Sequence, residues 1–340
     1  MKPGPNEQNG AVSATDNALW RKTGGTKITL QALKQEFPPE FRHPFKQKMY
    51  ERAAAEINHG TDEVSILRVM YQNPDRFHYR PAEVVNVPYF YRYDDLGQEG
   101  KTVWYVNFAD PILFVAYDSG LFAQDEIQTL EHPLLGGIAE FLNKKRLSGL
   151  PAMTVEHEDP SPILIRNIPY QIRINTMPAD KSGETVSIYG NKFAYAPEEL
   201  LERAITVLDD DSRRSNILAM AALPPSRGAY RPDQIQYLIK AVFCAFAAAR
   251  ADSSGTTVIH TGRWGAGAFG GSEELVLLIQ ILGARAAGIE KLIFHAVSGP
   301  KLENAMKYAE DAAGNDLDTL EKLSAFILDR HYQWGISDGN

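Results

Sequence analysis

The segment that most constrains this chain is a glycine-rich loop that joins an apolar strand to a long helix, at residues 258–287. Within ten residues the loop holds five glycines: Gly262, Gly265, Gly267, Gly270 and Gly271. Ser272 is placed to cap the helix at its start, and Gly288 to end it. Glycines let backbone N–H groups approach a ligand closely, and a helix start carries about half a positive charge. The segment therefore predicts a site for phosphate oxygens.

A nicotinamide or flavin site is one alternative, because residues 265–270 satisfy the pattern G-x-G-x-x-G. That class of site expects an acidic residue at the end of the next strand, where it holds a ribose hydroxyl. The next apolar run, at residues 292–297, is followed by Ser298 and Gly299 and offers no carboxylate. The redox interpretation is therefore disfavoured, and no cofactor is predicted.

Composition argues against several classes of protein. A net charge of −8 argues against nucleic acid as the main partner, since a phosphate backbone requires clustered Lys and Arg. Cys244 is the only cysteine, which leaves no internal disulfide and no cysteine zinc site. The eight histidines show no ligand-pair spacing, so no metal is predicted. No uncharged apolar run reaches the length of a membrane span. The sequence thus predicts a soluble cytoplasmic protein without a membrane partner, and leaves secretion into a host cell open.

The chain divides into three predicted regions. Residues 1–25 are polar, with Gly, Pro and Asn, and are expected to form a disordered arm. Residues 26–95 carry helical patterns at 45–57 and 62–71 and are predicted to be a helical accessory region. From residue 96 to 340, strand and helix signals alternate, which favours a three-layer α/β/α domain. Within it, strands are predicted at 102–108, 163–165, 186–189 and 258–259, and helices at 135–145, 197–208, 232–250 and 272–287.

The glycine loop, HTGRWGAGAFGG at residues 260–271, and the apolar helix after it closely resemble the second phosphate loop of the poly(ADP-ribose) glycohydrolases. That family also has an upstream landmark, D-F-A-N followed by a glycine triplet and Q-E-E. This chain has N-F-A-D at residues 107–110 and Q-D-E at 124–126, with the family's separation between them. The resemblance covers about residues 85–310. It implies a macrodomain, in which a mixed central sheet lies between helical layers and binds ADP-ribose, here with an N-terminal helical extension.

The chain also departs from the family pattern. Where the family has its glycine triplet, this chain has residues 114–116, Phe-Val-Ala, which penalise a positive φ and close backbone approach. Arg263 replaces an asparagine and adds a cation that suits a pyrophosphate, and Ala266 replaces a cysteine. These departures indicate a divergent branch that acts on mono-ADP-ribose conjugates rather than on the polymer.

Cleavage at C1″ of ADP-ribose passes through an oxocarbenium-like state and requires an acid for the leaving oxygen and a base for water. The resemblance implies that Glu126 is this acid and base and that Asp125 positions the distal ribose. Asp110 is a third catalytic candidate, and Asp118 a weaker one. The remaining ADP-ribose contacts are predicted at Asn107, Phe108, Gln124, Thr261, Gly262, Arg263, Gly265, Ala266, Gly267, Ala268 and Phe269. The alternative is that acids at a helix start only complement the helix dipole.

Three functions follow from these observations. The first is an ADP-ribosyl hydrolase that removes ADP-ribose from a modified protein or another conjugate, including a ubiquitin-type conjugate. The second is a reader that binds ADP-ribose without cleaving it, which the missing glycine triplet favours. The third is a scaffold that binds no nucleotide, because Phe114 and Val115 block the first loop.

Overall fold

The computed structural model describes residues 19–55, 62–209 and 212–337. Their strands are β1 (Trp20–Thr29), β2 (Glu63–Tyr71), β3 (Glu83–Val87), β4 (Lys101–Ala109), β5 (Val155–Glu156), β6 (Asp159–Pro160), β7 (Ile163–Pro169), β8 (Ile172–Ile174), β9 (Ile205–Val207), β10 (Arg214–Ala221), β11 (Thr256–Thr261) and β12 (Lys291–His295). Their α-helices are α1 (Leu30–Glu36), α2 (Pro44–Ala55), α3 (Gln124–Glu131), α4 (Leu134–Lys145), α5 (Glu198–Ala204), α6 (Pro232–Ala251), α7 (Glu273–Ala287), α8 (Gly299–Gly314) and α9 (Leu320–Leu328), and a 3-10 helix spans Gly190–Tyr195. None of these helices has the length and apolar character needed to cross a bilayer.

Eight of these strands form one mixed sheet in the order β1-β2-β7-β10-β4-β11-β12-β3. The five strands from β10 to β3 run parallel to one another. At the other edge, β7, β2 and β1 each pair antiparallel with their neighbours. Helices α1–α5 pack against one side of this sheet and α6–α9 against the other. The predicted three-layer α/β/α architecture with a mixed central sheet is therefore confirmed.

The central strands are apolar on both faces, which is what a sheet covered by two helical layers requires. In β4, Val103 and Tyr105 belong to the core beneath α1–α5, whereas Trp104 and Val106 belong to the core beneath α6–α9. The same alternation holds in β10 and β7. Because successive side chains of a strand point to opposite faces, one continuous apolar run supplies both cores.

The prediction of a helical accessory region at residues 26–95 is wrong in its architecture. Three strands, β1, β2 and β3, arise from this part of the chain and join the central sheet. Residues 62–71, predicted to be helical, form β2, because Val64, Ile66 and Arg68 alternate with more exposed residues and are buried on one face. The helix predicted at 45–57 is present as α2, and residues 56–57 lie outside the described part.

Two smaller predictions also change. Residues 20–25 of the predicted disordered arm belong to β1, and residues 1–18 lie outside the described residues. The strand predicted at 186–189 is a loop, and the helix predicted at 197–208 ends at Ala204 and continues as β9. The β9 residues are Ile, Thr and Val, whose branched Cβ atoms favour extended backbone over helix.

The sheet places the two sequence landmarks next to each other. Strands β4 and β11 are parallel neighbours, with Trp104 opposite Ile259 and Tyr105 opposite His260. The loops that follow the two strands therefore leave the same edge of the sheet. In parallel α/β sheets, ligands bind in the crevice outside the carboxyl ends of the strands.

Candidate functional site

One cleft at the carboxyl ends of β4 and β11 contains most of the residues predicted from the sequence. They are Phe108, Asp110, Gln124, Asp125 and Glu126 from the end of β4, the loop after it and the start of α3, and Thr261, Gly262, Arg263, Gly265, Gly267, Ala268 and Phe269 from the end of β11 and the loop after it. Asn107 and Ala266 do not line the cleft. Asn107 lies behind the acid pair, and Ala266 packs against the core beneath α6–α9.

The glycine loop has a backbone that other residues would distort. Gly265 has a φ of +72°, and a Cβ at this residue would lie 2.6 Å from the Cβ of Ala222. A Cβ on Gly271 would lie 2.6 Å from the carbonyl oxygen of Gly265, whose hydrogen bond with the Gly271 N–H closes the loop at 2.9 Å. Trp264 lies buried under the loop, where its indole N–H donates to the Met220 carbonyl oxygen at 2.9 Å.

Two further side chains hold the ends of this loop. The Ser272 hydroxyl accepts from the backbone N–H of Leu275 and caps α7, as predicted. Gln280 of α7 is fully buried; its amide N–H donates to the Gly262 carbonyl oxygen at 3.1 Å, and its amide oxygen accepts from the Thr261 hydroxyl. Sequence reasoning missed Gln280, although a glutamine within an apolar helix signals a buried polar contact.

A C-terminal segment braces the glycine loop from outside. Trp334 stacks on Tyr230 with ring centroids 4.7 Å apart, and the Tyr230 hydroxyl accepts from the Ser272 N–H at 2.9 Å. The next residue, Gly335, donates its N–H to the Gly270 carbonyl oxygen at 2.7 Å. We expect this segment to stabilise the loop as well as the core.

Replacing Trp334 with alanine is therefore expected to lower the free energy of unfolding by about 3 kcal/mol, because it removes a buried indole and its stack. The dissociation constant for ADP-ribose should rise in the same variant. Urea unfolding and calorimetry measure the two effects. The exposed Ile336 provides the matched control, since Ile336→Ala should change neither value.

Polar side chains fix the helix that carries the acids. The Gln124 amide oxygen accepts from the Phe108 N–H at 2.7 Å, and its amide N–H donates to the Val106 carbonyl oxygen at 3.2 Å. Asn107 is fully buried and donates its side-chain N–H to an Asp125 carboxylate oxygen at 2.9 Å. Gln124 and Asn107 thus attach the start of α3 to the end of β4 and orient the carboxyl group of Asp125.

Asp125 and Glu126 are both buried, at 7% and 4% exposure. Burial, together with the negative charges of Glu126 and Asp110, raises the pKa of Asp125 well above its usual range. Burial also raises the pKa of Glu126, which the positive charge of Lys46 partly opposes. Glu126 accepts from the backbone N–H of Ala123 at 3.0 Å. Burial thus shifts both carboxyl groups toward their protonated forms, which is the direction that a general acid requires.

The other two acids of the first loop differ in their surroundings. Asp110 lines the cleft, and its carboxylate accepts from the Ile112 N–H at 3.1 Å. Asp118 instead forms an ion pair with Arg42, in which one of the hydrogen bonds measures 2.9 Å. Asp110 is thus placed to face a ligand, whereas Asp118 serves to attach the loop to the N-terminal part of the chain.

The residues that replace the glycine triplet behave differently from the sequence expectation. Phe114 adopts a φ of 55°, so the left-handed turn is retained without glycine, and its ring is fully buried in the core beneath α1–α5. Such a backbone costs about 1–2 kcal/mol, which burial of the aromatic ring offsets. Val115, half-exposed, lines the cleft. The ring of Phe114 therefore does not block the ligand site, contrary to the steric argument for a scaffold.

A third buried carboxyl group, which sequence reasoning missed, lines the cleft at Glu131. Burial raises the pKa of Glu131 well above its usual range, against the effect of a hydrogen bond with Tyr93. A group whose pKa is higher in the folded protein contributes stability at low pH and loses it as the pH rises through the folded value.

Glu131→Gln, which keeps the shape but carries no charge, is therefore expected to raise the free energy of unfolding at pH 8 by about 1–2 kcal/mol. The gain should shrink as the pH falls toward about 4 and disappear near pH 3, where wild-type Glu131 is protonated in both states. Urea unfolding across this pH range measures the difference. Glu303→Gln, at an exposed position of α8, should show no pH-dependent gain.

Two histidines at the ends of β11 and β12 form a buried chain of hydrogen bonds. His260 contacts Asp95 at 3.1 Å and His295 at 2.9 Å, and His295 contacts the Tyr89 carbonyl oxygen at 2.9 Å. Burial lowers the pKa of His295 to about 4, so this ring is neutral. Within the described ranges, no group of three or more His, Cys, Asp or Glu side chains is placed to hold a metal ion.

Part of the chain is similar to a known family. Residues 181–304 match the family model described as poly(ADP-ribose) glycohydrolase, macro domain fold. The match covers 124 of the 340 residues, so the similarity to this family extends over about a third of the chain. The matched residues include the glycine loop, whereas the acid pair precedes them in the chain.

Solved structures similar to this chain include those of the poly(ADP-ribose) glycohydrolase of Deinococcus radiodurans. The complex of that enzyme with ADP-ribose is 14% identical, with a TM-score of 0.37, and the match covers 85% of this chain and 95% of the other. Its apo form is 13% identical, with a TM-score of 0.33, and the match covers 91% and 99%.

Proposed function

We propose that this protein is an ADP-ribosyl hydrolase. The observation that carries the proposal is the cleft itself, in which a glycine loop suited to a pyrophosphate faces a buried pair of carboxyl groups. A phosphate site alone would support many ligands. A phosphate site that shares one cleft with a protonated acid supports cleavage of a sugar attached to that phosphate.

The pyrophosphate binds backbone N–H groups of the cleft-lining residues of the glycine loop, such as Gly265, Gly267 and Ala268, and Arg263 adds a fixed positive charge. This places the distal ribose toward Asp125 and Glu126. Asp125, oriented by Asn107, positions the ribose hydroxyls. The stacked pair of Phe90 and Tyr189, which also lines the cleft, offers flat aromatic surface to the adenine base.

Glu126 performs the proton transfers in two steps. Its protonated carboxyl group donates a proton to the leaving oxygen as the bond between C1″ and that oxygen breaks, which frees the acceptor. The resulting carboxylate takes a proton from a water molecule as the water oxygen bonds to C1″. The products are free ADP-ribose and the unmodified acceptor, and Glu126 regains its proton.

The substrate class is a mono-ADP-ribosylated protein or another mono-ADP-ribose conjugate. The departures at residues 114–116 support this choice, because they change the loop beside the distal ribose, where the next unit of a polymer would attach. Assays with a mono-ADP-ribosylated protein, a mono-ADP-ribosylated ubiquitin and poly(ADP-ribose) separate the substrates, with release of ADP-ribose followed by chromatography. Release from the mono-modified protein is the expected result.

The reader function remains the second candidate, favoured by the missing glycine triplet. Calorimetry with ADP-ribose, run beside the release assays, distinguishes the two functions. Micromolar binding without release from any of the three substrates would establish the reader and overturn the hydrolase.

A further inference from the structure

A lysine from the N-terminal part of the chain lies fully buried next to the acid loop. Lys46 is in α2, and its side chain is 0% exposed. Its ammonium group donates to the carbonyl oxygens of Tyr117 at 3.1 Å and Leu121 at 2.9 Å. The same group lies 5.4 Å from the ring centre of Phe122 and 5.6 Å from that of Phe193. A buried charge is rare and requires partners of this kind.

The contacts of Lys46 are on the loop that leads into the acid pair. Tyr117 and Leu121 lie in the loop between the turn at Phe114 and the first residues of α3. Two residues just before Lys46 in the chain contact the same loop. Arg42 pairs with the Asp118 carboxylate, and the His43 N–H donates to the Asp118 carbonyl oxygen at 2.9 Å. Residues 42–46 thus hold residues 117–121 in place through hydrogen bonds and an ion pair.

We propose that Lys46 is a positioning residue for the acid pair, which anchors the loop entering α3 and supplies a positive charge to Glu126. A role of Lys46 in catalysis rests on the proposed function. Its contacts with the loop and its effect on the Glu126 carboxyl group do not depend on that function. It also gives the N-terminal part of the chain a role in the site.

The charges around Lys46 determine whether it raises or lowers the pKa of Glu126. Glu126, Asp118 and Asp125 face it, and Asp118 is already paired with Arg42, while His43 lies directly before α2. Burial lowers the pKa of Lys46 to about 8, so the lysine is mostly protonated at neutral pH. Its positive charge lowers the pKa of Glu126, in opposition to burial. Without that charge, Glu126 should hold its proton to a higher pH.

Two variants separate anchoring from charge. Lys46→Gln keeps N–H donors for the two carbonyl oxygens but carries no charge, whereas Lys46→Met removes both. Lys48→Met is the matched control, because Lys48 is on the same helix and pairs with Glu198 and Glu202 at the surface. Circular dichroism reports whether each variant folds, and Lys46→Gln is the variant better able to do so.

The measurement is a titration of the Glu126 carboxyl group by carbon-13 NMR, with its resonance assigned by its loss in Glu126→Gln. The expected result is a midpoint about one pH unit higher in Lys46→Gln than in wild type, and unchanged in Lys48→Met. Equal midpoints in wild type and folded Lys46→Gln would overturn the proposal. The titration requires no turnover. A protein that releases no ADP-ribose would therefore refute the hydrolase function, while the effect of Lys46 on the pKa of Glu126 could still be measured.

Discussion

Glu126→Gln is expected to lower the rate of ADP-ribose release about 1,000-fold, because it removes the group that gives and takes the proton at C1″. Glutamine has nearly the same shape, and its amide oxygen can still accept from the Ala123 N–H at the start of α3. The dissociation constant for ADP-ribose should therefore stay within about threefold of wild type. Single-turnover release and calorimetry measure the two quantities on the same preparation.

Glu303→Gln is the control for this experiment, since Glu303 is exposed on α8 and should leave release unchanged. Asp125→Asn provides a second comparison. Asparagine loses the charge that positions the ribose, so weaker binding as well as slower release is expected. Release by Glu126→Gln at the wild-type rate would reject the role given to Glu126, even if binding is normal.

Gly265→Ala is expected to weaken ADP-ribose binding about 10- to 100-fold. The new Cβ would lie 2.6 Å from the Cβ of Ala222, and an alanine at a φ of +72° is strained. The backbone must move to relieve the close Cβ contact and the strain at the positive φ. This movement turns the N–H groups of the loop away from the pyrophosphate. A penalty of about 1–3 kcal/mol corresponds to that range of affinity. Calorimetry with ADP-ribose measures the change.

A double variant separates the contact from the strain. Ala222→Gly removes the Cβ that an alanine at residue 265 would meet, so it should restore part of the affinity in combination with Gly265→Ala. Strain at the positive φ would persist, and restoration should be incomplete. Ala222→Gly alone should bind ADP-ribose nearly as well as wild type. Unchanged affinity in Gly265→Ala would show that the loop does not hold the ligand.

The glycine loop could be predicted in detail because its signals are local. Ser272 caps α7 and Gly288 ends it in a left-handed conformation, both as the sequence indicates. Each of these depends on residues a few positions apart. The three-layer architecture follows equally from the alternation of strand and helix signals between residues 96 and 340.

The contribution of residues 26–95 to the sheet could not be predicted in the same way. Strand β2 pairs with β1 and β7, and the latter lies about a hundred residues along the chain. The pattern of apolar residues in β2 is short, and the buried Arg68 takes the place of an apolar residue. This pattern is compatible with either helix or strand until the pairing partners are known. Tertiary pairing, not local preference, decides the structure of this part.

The supporting polar residues were missed for a related reason. Lys46 bonds a carbonyl oxygen 71 residues away, which no local pattern specifies. One signal was nevertheless present, because Lys46 shares the helical stripe of Met49, Tyr50 and Ala53, all of them buried. A lysine on the apolar stripe of a helix therefore indicates a buried partner.

A crystal structure of the protein soaked with ADP-ribose tests the common site most directly. The pyrophosphate oxygens should accept hydrogen bonds from backbone N–H groups of the cleft-lining residues of the glycine loop, and the oxygen on C1″ should lie about 3 Å from the Glu126 carboxyl group. ADP-ribose bound away from either the glycine loop or the acid pair would contradict a single site built from the ends of β4 and β11.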